Sequence, residues 1–196
     1  MFGCLLLMTT TESQKAWDEM WMENQLKLAG QGNSAALERI YRLTQPSLYA
    51  YLLSILKNRS DAEDALQDTY VGIFQAASRY QPDGHSKAWI FTIARNQAMM
   101  RFRERKRYAD DGEAILEIFP ADDHSQRAQD RLALETALRI LSREESQIVI
   151  LHAVAGFKHR EIASLLALPL NTVLSKYHRS IKQLKKKLTE GETDAQ

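Results

Sequence analysis

Apolar residues recur at helical spacing along almost the whole chain, and this pattern most constrains what the chain can fold into. In residues 34–58, Leu37, Ile40, Tyr41 and Leu48 return every three or four positions, which places them on one face of an α-helix. No strand-like alternation of apolar and polar residues is longer than chance. Only four prolines and eight glycines interrupt the 196 residues, so long helices are permitted. The pattern predicts an all-α protein.

Turn and cap signals divide the first half of the chain into four predicted helices. Pro46 is expected to kink or split the second helix. Ser60 and Glu63 form a Ser-x-x-Glu capping box, which predicts that the third helix begins at Ser60. A turn-rich loop at 81–87 precedes the fourth helix. The first, second and fourth helices are expected at 17–31, 34–58 and 86–108. The apolar face of the third is expected to consist of Leu66, Tyr70, Ile73, Phe74 and Ala77.

The charge of the chain changes sign abruptly near its middle. Residues 101–107 hold five basic residues against one acid, whereas residues 109–130 hold seven acids against Arg127. Such an acidic stretch is typical of an exposed linker, so it predicts two small helical domains joined by a flexible acidic segment. The predicted division is a disordered tail at 1–16, a domain at 17–108, a linker at 109–130, a domain at 131–188 and a disordered tail at 189–196.

The second half of the chain has the layout of a helix-turn-helix. A helix at 132–141 is followed by one that Ser142 and Glu145 cap as a second capping box. A short helix at 159–166 and a turn then lead to a last helix, which Asn171 is expected to cap and which reaches about Leu188. A short helix, a tight turn and a longer helix are the parts of a helix-turn-helix motif.

The last predicted helix is strongly basic, and it has no acid before Glu190. Such a face suits DNA phosphates, and its N-terminal half has the position of a recognition helix in the major groove. The helix is therefore expected to bind DNA. Its basic residues are Lys176, Arg179, Lys182, Lys185, Lys186 and Lys187.

Several function classes receive no support from the sequence. The lone cysteine, Cys4, excludes an internal disulfide framework and a zinc site built on several cysteines, and it fits a reducing, cytoplasmic setting. The apolar opening at 1–7 is too short to span a bilayer, so no membrane insertion is expected. His152 and His159 are expected to be surface or satisfied residues rather than metal ligands. No phosphate loop, metal cluster or activated nucleophile is present at motif spacing, so no enzyme activity, cofactor or metal is expected.

Two separate motifs resemble one family of proteins. Residues 157–179 (FKHREIASLLALPLNTVLSKYHR) resemble the promoter −35-reading domain of the extracytoplasmic-function sigma factors of bacterial RNA polymerase. Independently, residues 61–68 (DAEDALQD) and 89–96 (WIFTIARN) resemble that family's polymerase-binding and −10-reading domain. The resemblance covers about residues 24–188. It implies a sigma factor that binds core RNA polymerase, recognises −35 and −10 elements and helps to melt DNA, in a stress or envelope-response regulon.

The resemblance also implies partners and site residues. The partners are the clamp of the polymerase's largest subunit, the flap of its second-largest subunit, promoter DNA and an anti-sigma factor. The loop at 81–88 is expected to capture one base flipped out of the −10 element. The polymerase-binding residues are expected to be Asp64, Gln67 and Asp68. The −10 residues are expected to be Lys87, Asn96, Arg101, Arg103 and Arg105. The −35 residues are expected to be Thr172, Ser175, Lys176, His178, Arg179 and Lys182.

Some features of the sequence leave alternatives open. A helix-turn-helix regulator that binds DNA without polymerase is the main rival, although it needs neither the acidic third helix nor the loop at 81–88. Trp89 has the chemistry of a base-stacking platform, but its helical spacing with Ile93 favours a place in the core. Ala167 and Asn171 stand where relatives frequently carry glycine, and the turn is expected to survive these replacements.

Overall fold

The computed structural model describes residues 18–108 and 138–193, with side chains over 18–104 and 138–187. All regular elements in these ranges are helical, so the predicted all-α class is confirmed. The predicted tails and linker, and the side chain of Arg105, lie outside the described residues. No helix in the described ranges is long and apolar enough to cross a membrane. The helices are α1 (Glu19–Gly30), α2 (Ser34–Leu56), α3 (Arg59–Ala77), α4 (Ser86–Tyr108), α5 (Arg143–Ala153), α6 (His159–Leu166) and α7 (Leu170–Thr193).

Short polar side chains cap the first three helices. Asp18 accepts a hydrogen bond from the backbone N–H of Trp21 at the start of α1, and Asn33 caps α2 in the same way. Asn58 caps α3 by accepting from the N–H of Asp61 at 2.9 Å, so the predicted start at Ser60 is wrong. The cap falls two residues earlier because Lys57 adopts a left-handed conformation that ends α2 and turns the chain.

Pro46 does not split α2, which is one continuous helix from Ser34 to Leu56. A proline inside a helix removes one backbone hydrogen bond, so neighbouring groups have to hold the turn together. Nearby, the hydroxyl of Thr44 donates to the carbonyl of Ile40 at 2.7 Å and lies 2.8 Å from the phenol oxygen of Tyr70. The contact with Tyr70 fastens this part of α2 to α3.

Helices α1 to α4 pack around one apolar core in the first domain. Met22 from α1, Ile40 from α2 and Ile73 from α3 are completely buried. Gly30 allows the end of α1 to approach the end of α3 closely, because a Cβ there would stand 2.7 Å from the backbone of Ala77. The packing brings α1 against both ends of the loop that precedes α4.

Helices α5 to α7 form the predicted helix-turn-helix domain. The capping box of Ser142 and Glu145 is present at the start of α5. The bounds of α6 match the prediction at 159–166. The last helix begins at Leu170, so Asn171 lies inside its first turn and is not the expected cap, and the helix extends to Thr193. The chain enters α7 from Pro169, whose carbonyl accepts from the N–H of Thr172 at 3.0 Å.

The two domains share a continuous buried core. Phe157, which precedes α6, packs the edge of its ring on Phe91 of α4 with a centroid separation of 5.0 Å. The guanidinium of Arg143 lies 4.3 Å from the ring centroid of Phe102. The amine of Lys57 donates to the hydroxyl of Ser146 at 2.7 Å and also to the carbonyls of Leu138 and Leu141. The domains are therefore packed against each other in a closed arrangement.

Candidate nucleic-acid interface

The three polar residues that the sequence predicts for polymerase binding share one side of α3. Asp64 and Gln67 are exposed and Asp68 is half-buried. Arg101 reaches them from α4, with one guanidinium nitrogen 2.6 Å from Asp68 Oδ2 and another 3.2 Å from Asp64 Oδ2. Burial acts to lower the pKa of Arg101, but the two carboxylates outweigh it and raise the pKa overall. Arg101, which the sequence predicts to bind DNA, is thus paired with two of the three residues predicted to bind polymerase.

Two exposed apolar residues extend this side of α3. Val71 is 55% exposed and Phe74 is 46% exposed. The expectation that Phe74 lies on the buried face is wrong, because it stands about 80° around the helix from Leu66 and so falls at the edge of the buried arc. A helical wheel centred on Gln67 could have found both residues, since 67, 71 and 74 follow helical spacing.

The loop at 81–85 joins α3 to α4, and all five of its residues are exposed. Gly84 has a φ angle of +76°, a conformation that favours glycine. Tyr80, which precedes the loop, packs its ring at a tilt on Trp89 of α4, with a centroid separation of 4.9 Å. Trp89 is half-buried and packs against the core, which supports a packing role over an open stacking platform.

Lys87 is half-buried rather than fully exposed as expected of a phosphate-binding residue. Its amine lies 4.5 Å from the ring centroid of Phe157 in the second domain. Burial lowers the pKa of Lys87 to about 8, although the charges of Glu161 and Glu19 oppose the shift. In the closed arrangement the second domain therefore covers this predicted −10 residue.

Two other predicted −10 residues are open to solvent. Asn96 and Arg103 are both exposed on α4, and their separation of seven residues places them on the same side of the helix. Arg105 also belongs to α4, but its side chain is outside the described residues. This side of α4 offers an amide that can donate and accept, together with a guanidinium for a phosphate.

In the helix-turn-helix, α6 and α7 are joined by a small buried contact. Ile162 of α6 and Val173 of α7 are completely buried. The turn begins at Ala167, which has a φ of 56° without being glycine. Of the residues predicted to contact the −35 element, Thr172 and Lys176 are half-buried, and the others are exposed. The exposed ones are Ser175, His178, Arg179 and Lys182.

Acidic side chains at the start of α5 pair with two of these cations. The amine of Lys176 lies 3.1 Å from Glu144, and the Nε of Arg179 lies 3.4 Å from Glu145. The hydrogen bonds from Ser142, with help from both cations, hold the pKa of Glu145 below its ordinary value. These pairs orient the cations while they leave most of the Arg179 side chain exposed, at 64%.

Two histidines and a tyrosine pack together behind α7. The rings of His152 and His159 stand 4.2 Å apart, and Tyr177 packs edge-on against both. The Nδ1 of His152 lies 2.8 Å from the carbonyl oxygen of Phe157. Burial and the neighbouring histidines lower the pKa of His159, which favours its neutral form. Over residues 18–108 and 138–193, no group of three potential ligands is placed to hold a metal ion.

The fold and these surfaces define a class of protein: an all-helical protein with a C-terminal helix-turn-helix, a motif typical of DNA-binding proteins, and an exposed acidic face on α3. Comparisons with known families narrow the class. Residues 40–108 match the family Sigma-70 region 2, and residues 131–184 match Sigma-70, region 4. These two regions fall in the same order as the two helical domains.

Individual relatives agree with the family matches. SigE of Mycolicibacterium smegmatis is 33% identical over 76% of this chain, but the match spans only 56% of SigE. CarQ of Myxococcus xanthus is 27% identical over 83% of this chain and 95% of CarQ.

Solved structures share the fold. The sigma factor RpoE of Bartonella quintana, solved with the anti-sigma factor NepR, has a TM-score of 0.61 at 29% identity, covering 78% of this chain and 96% of that one. CnrH, solved with the cytosolic domain of CnrY, has a TM-score of 0.62 at 22% identity, covering 87% and 98%. This chain belongs to the extracytoplasmic-function sigma factors, which are DNA-binding regulators of transcription initiation.

Proposed function

We propose that the chain binds core RNA polymerase through α3, reads the −35 element with α7 and reads the −10 element with the loop at 81–85. The observation that carries the proposal is the exposed face of α7, where Ser175, His178 and Arg179 follow helical spacing on a helix-turn-helix. The chain has no catalytic role of its own, and it acts in the cytoplasm beside the polymerase.

The polymerase-binding surface is proposed to consist of Asp64, Gln67, Asp68, Val71 and Phe74. Carboxylates at its polar end suit arginines on the clamp, because such charge-assisted bonds are strong and directional. The apolar end supplies buried contact area, which charged pairs alone do not provide. Arg101 holds the two carboxylates in place and is proposed to act first as their positioning residue.

The DNA-binding surfaces are proposed to act together only after the domains separate. In the closed arrangement Lys87 lies against Phe157, which limits its access to a phosphate. The similar sigma factor RpoE was solved with the anti-sigma factor NepR, so a partner of that kind is proposed here as well. It would favour a domain arrangement that keeps the chain away from promoters, whereas polymerase would favour the open one.

In vitro transcription tests this function. Core RNA polymerase is assayed with and without the protein on DNA from its own genome, beginning with the DNA upstream of its own gene, and core binding is measured in the same samples. We expect defined transcripts that require the protein and that fade when Asp64, Gln67 and Asp68 are changed to alanine. Glu38→Ala is the matched control, because Glu38 is an exposed acid on α2 that pairs only with Arg42 in the described contacts.

Two outcomes separate the rival functions. Tight duplex binding without core binding would establish a helix-turn-helix regulator that acts without polymerase. Core binding that survives all three alanine substitutions would place the polymerase-binding surface elsewhere on the chain.

A further inference from the structure

Two glutamates of α1 hold the loop between α3 and α4. Glu19 Oε2 accepts from the backbone N–H of Ser86 at 3.0 Å and also from the Ser86 hydroxyl. Glu23 Oε1 accepts from the N–H of Gly84 at 2.7 Å and from the phenol of Tyr80 at 3.2 Å. The two carboxylates are one turn apart on α1, so both reach the loop from the same side. The loop is fastened at its start, its tip and its end.

Each of these hydrogen bonds gives a partner to a donor in the loop or at the start of α4, and so restricts the movement of that donor. Ser86 begins α4, where backbone N–H groups have no partner inside the helix and the helix dipole favours a negative charge. Glu19 therefore does from another helix what a capping residue does within its own. Burial and the charge of Glu23 raise the pKa of Tyr80, so its phenol stays protonated and donates.

The fastening leaves the outer part of the loop open. Gln81, Pro82 and Asp83 are exposed, and none of them carries a bond to α1 in the described contacts. Asp83 braces the loop from inside by accepting from the N–H of His85 at 3.0 Å. A loop with fixed ends and accessible side chains can meet a ligand without first being ordered, which removes an entropic cost from binding.

We propose that Glu19 and Glu23 are positioning residues that set the −10 specificity of this sigma factor by holding the loop at 81–85 in its reading conformation. The inference rests on the proposed function, in which this loop reads a flipped −10 base. Neither glutamate contacts DNA in the proposal. Their carboxylates are occupied by donors of the loop, which limits their repulsion of nearby phosphates.

The test uses the holoenzyme formed from core polymerase and the full chain. It transcribes a library of duplex promoters in which the −10 and −35 segments are randomised, and sequencing of the transcribed templates gives the base preference at each position. Glu23→Ala is expected to weaken the preference at the −10 position that the loop reads by roughly five- to tenfold, because the loop must then be ordered during binding. The −35 preferences and the affinity for core polymerase are expected to be unchanged.

Conservative variants separate positioning from general damage. Glu23→Gln keeps an acceptor oxygen for Gly84 and Tyr80, and it should restore most of the −10 preference. Glu19→Gln should restore less, since it loses the negative charge at the start of α4. Intrinsic fluorescence of the free chain is measured with Trp17 and Trp21 changed to phenylalanine, so that Trp89, which packs on Tyr80, reports on the loop. Glu38→Ala is the control for removal of an exposed acid.

Each contrary outcome has a distinct meaning. Unchanged −10 preferences in both Glu19→Ala and Glu23→Ala would overturn the positioning role. An equal loss at −10 and −35 positions would overturn it too, because the damage would then be to the whole fold. If replacing Gln81 and Asp83 with alanine also leaves the −10 preferences unchanged, the loop does not read DNA and the proposed function itself fails at this element. If the −10 preferences change when Gln81 and Asp83 are replaced but not when Glu19 or Glu23 is replaced, only the positioning role is overturned.

Discussion

Individual side chains in this protein are placed by contacts that cross between helices. Lys87 and Arg101 have the charge of phosphate-binding residues, yet the structure sets one over Phe157 and the other between two carboxylates. The sequence places both residues on the fourth helix correctly, but it does not show which side chains they contact. The partner is decided by how α4 packs against α3 and against the second domain.

Ala167 offers a prediction at this scale. Its left-handed φ of 56° costs an alanine about 1 to 2 kcal/mol, and the residue is exposed, so its methyl group contributes little packing. Ala167→Gly relieves this strain but adds entropy to the unfolded chain, so the free energy of unfolding should rise by a net of about 0.5 to 1 kcal/mol. Urea unfolding measures the change.

Ala163→Gly is the matched control for that substitution. Ala163 lies inside α6 in ordinary helical geometry, so the same change should destabilise the protein by about 1 kcal/mol. Loss of stability in Ala167→Gly would show that the turn between α6 and α7 is not strained.

Helix α3 carries two different surfaces, and the exposed one is apolar as well as acidic. Phe74→Ala is expected to weaken core polymerase binding by roughly 5- to 30-fold, since a half-exposed aromatic ring is a common anchor in interfaces. Binding is measured with labelled protein and purified core polymerase. Met20→Ala is the control, because Met20 on α1 is 78% exposed and lies outside the proposed surface. An equal loss for both variants would argue against a specific apolar contact on α3.

Helix α7 should show separate signatures for base reading and phosphate binding. Arg179→Ala is expected to relax specificity at one −35 position by about 1 to 3 kcal/mol, as a guanidinium can bond a guanine through two nitrogens. Lys182→Ala should weaken binding evenly across sequences and reduce the salt dependence by about one phosphate contact. Transcription from promoters with single −35 substitutions, repeated over a salt series, distinguishes the two. A salt effect without a specificity effect for Arg179→Ala would remove it as a base reader.

At the scale of the whole molecule, two buried amines lie where the domains meet. Burial, with a contribution from Arg143, lowers the pKa of Lys57 to about 8, and burial lowers that of Lys87 to about 8. The ordinary lysine value is 10.5, so between these values the unfolded chain binds more protons than the folded one. The free energy of unfolding should therefore rise with pH from about 8. Tyr51 and Tyr70 have raised pKa values, which reverse the trend at higher pH.

Variants identify the groups behind this pH dependence. Unfolding by urea is measured at about pH 7.5 and about pH 9.5. Lys57→Met and Lys87→Met should each reduce the gain in stability between these two conditions. Lys182→Met should leave it unchanged, because Lys182 is exposed on α7. If Lys57→Met and Lys87→Met both leave the rise in the free energy of unfolding unchanged, neither amine is desolvated and the domains are not closed in solution.

The sequence by itself determined the helices, because helix formation depends on neighbouring residues. Periodic apolar positions and local caps gave α6 at its observed bounds and the capping box of Ser142 and Glu145 at α5. The cap of α3 was missed because the left-handed Lys57 supplied a turn that no composition signal marks.

The tertiary structure alone decided which side chains meet. Glu19 reaches Ser86 across 67 positions of sequence, and Lys57 reaches Ser146 across 89. Such contacts depend on the angles at which helices cross and on which faces are buried together, and a single sequence carries no local signal for either. For that reason the sequence led to the family and to the loop that is proposed to read DNA. The two glutamates proposed to hold that loop could be found only in the folded chain.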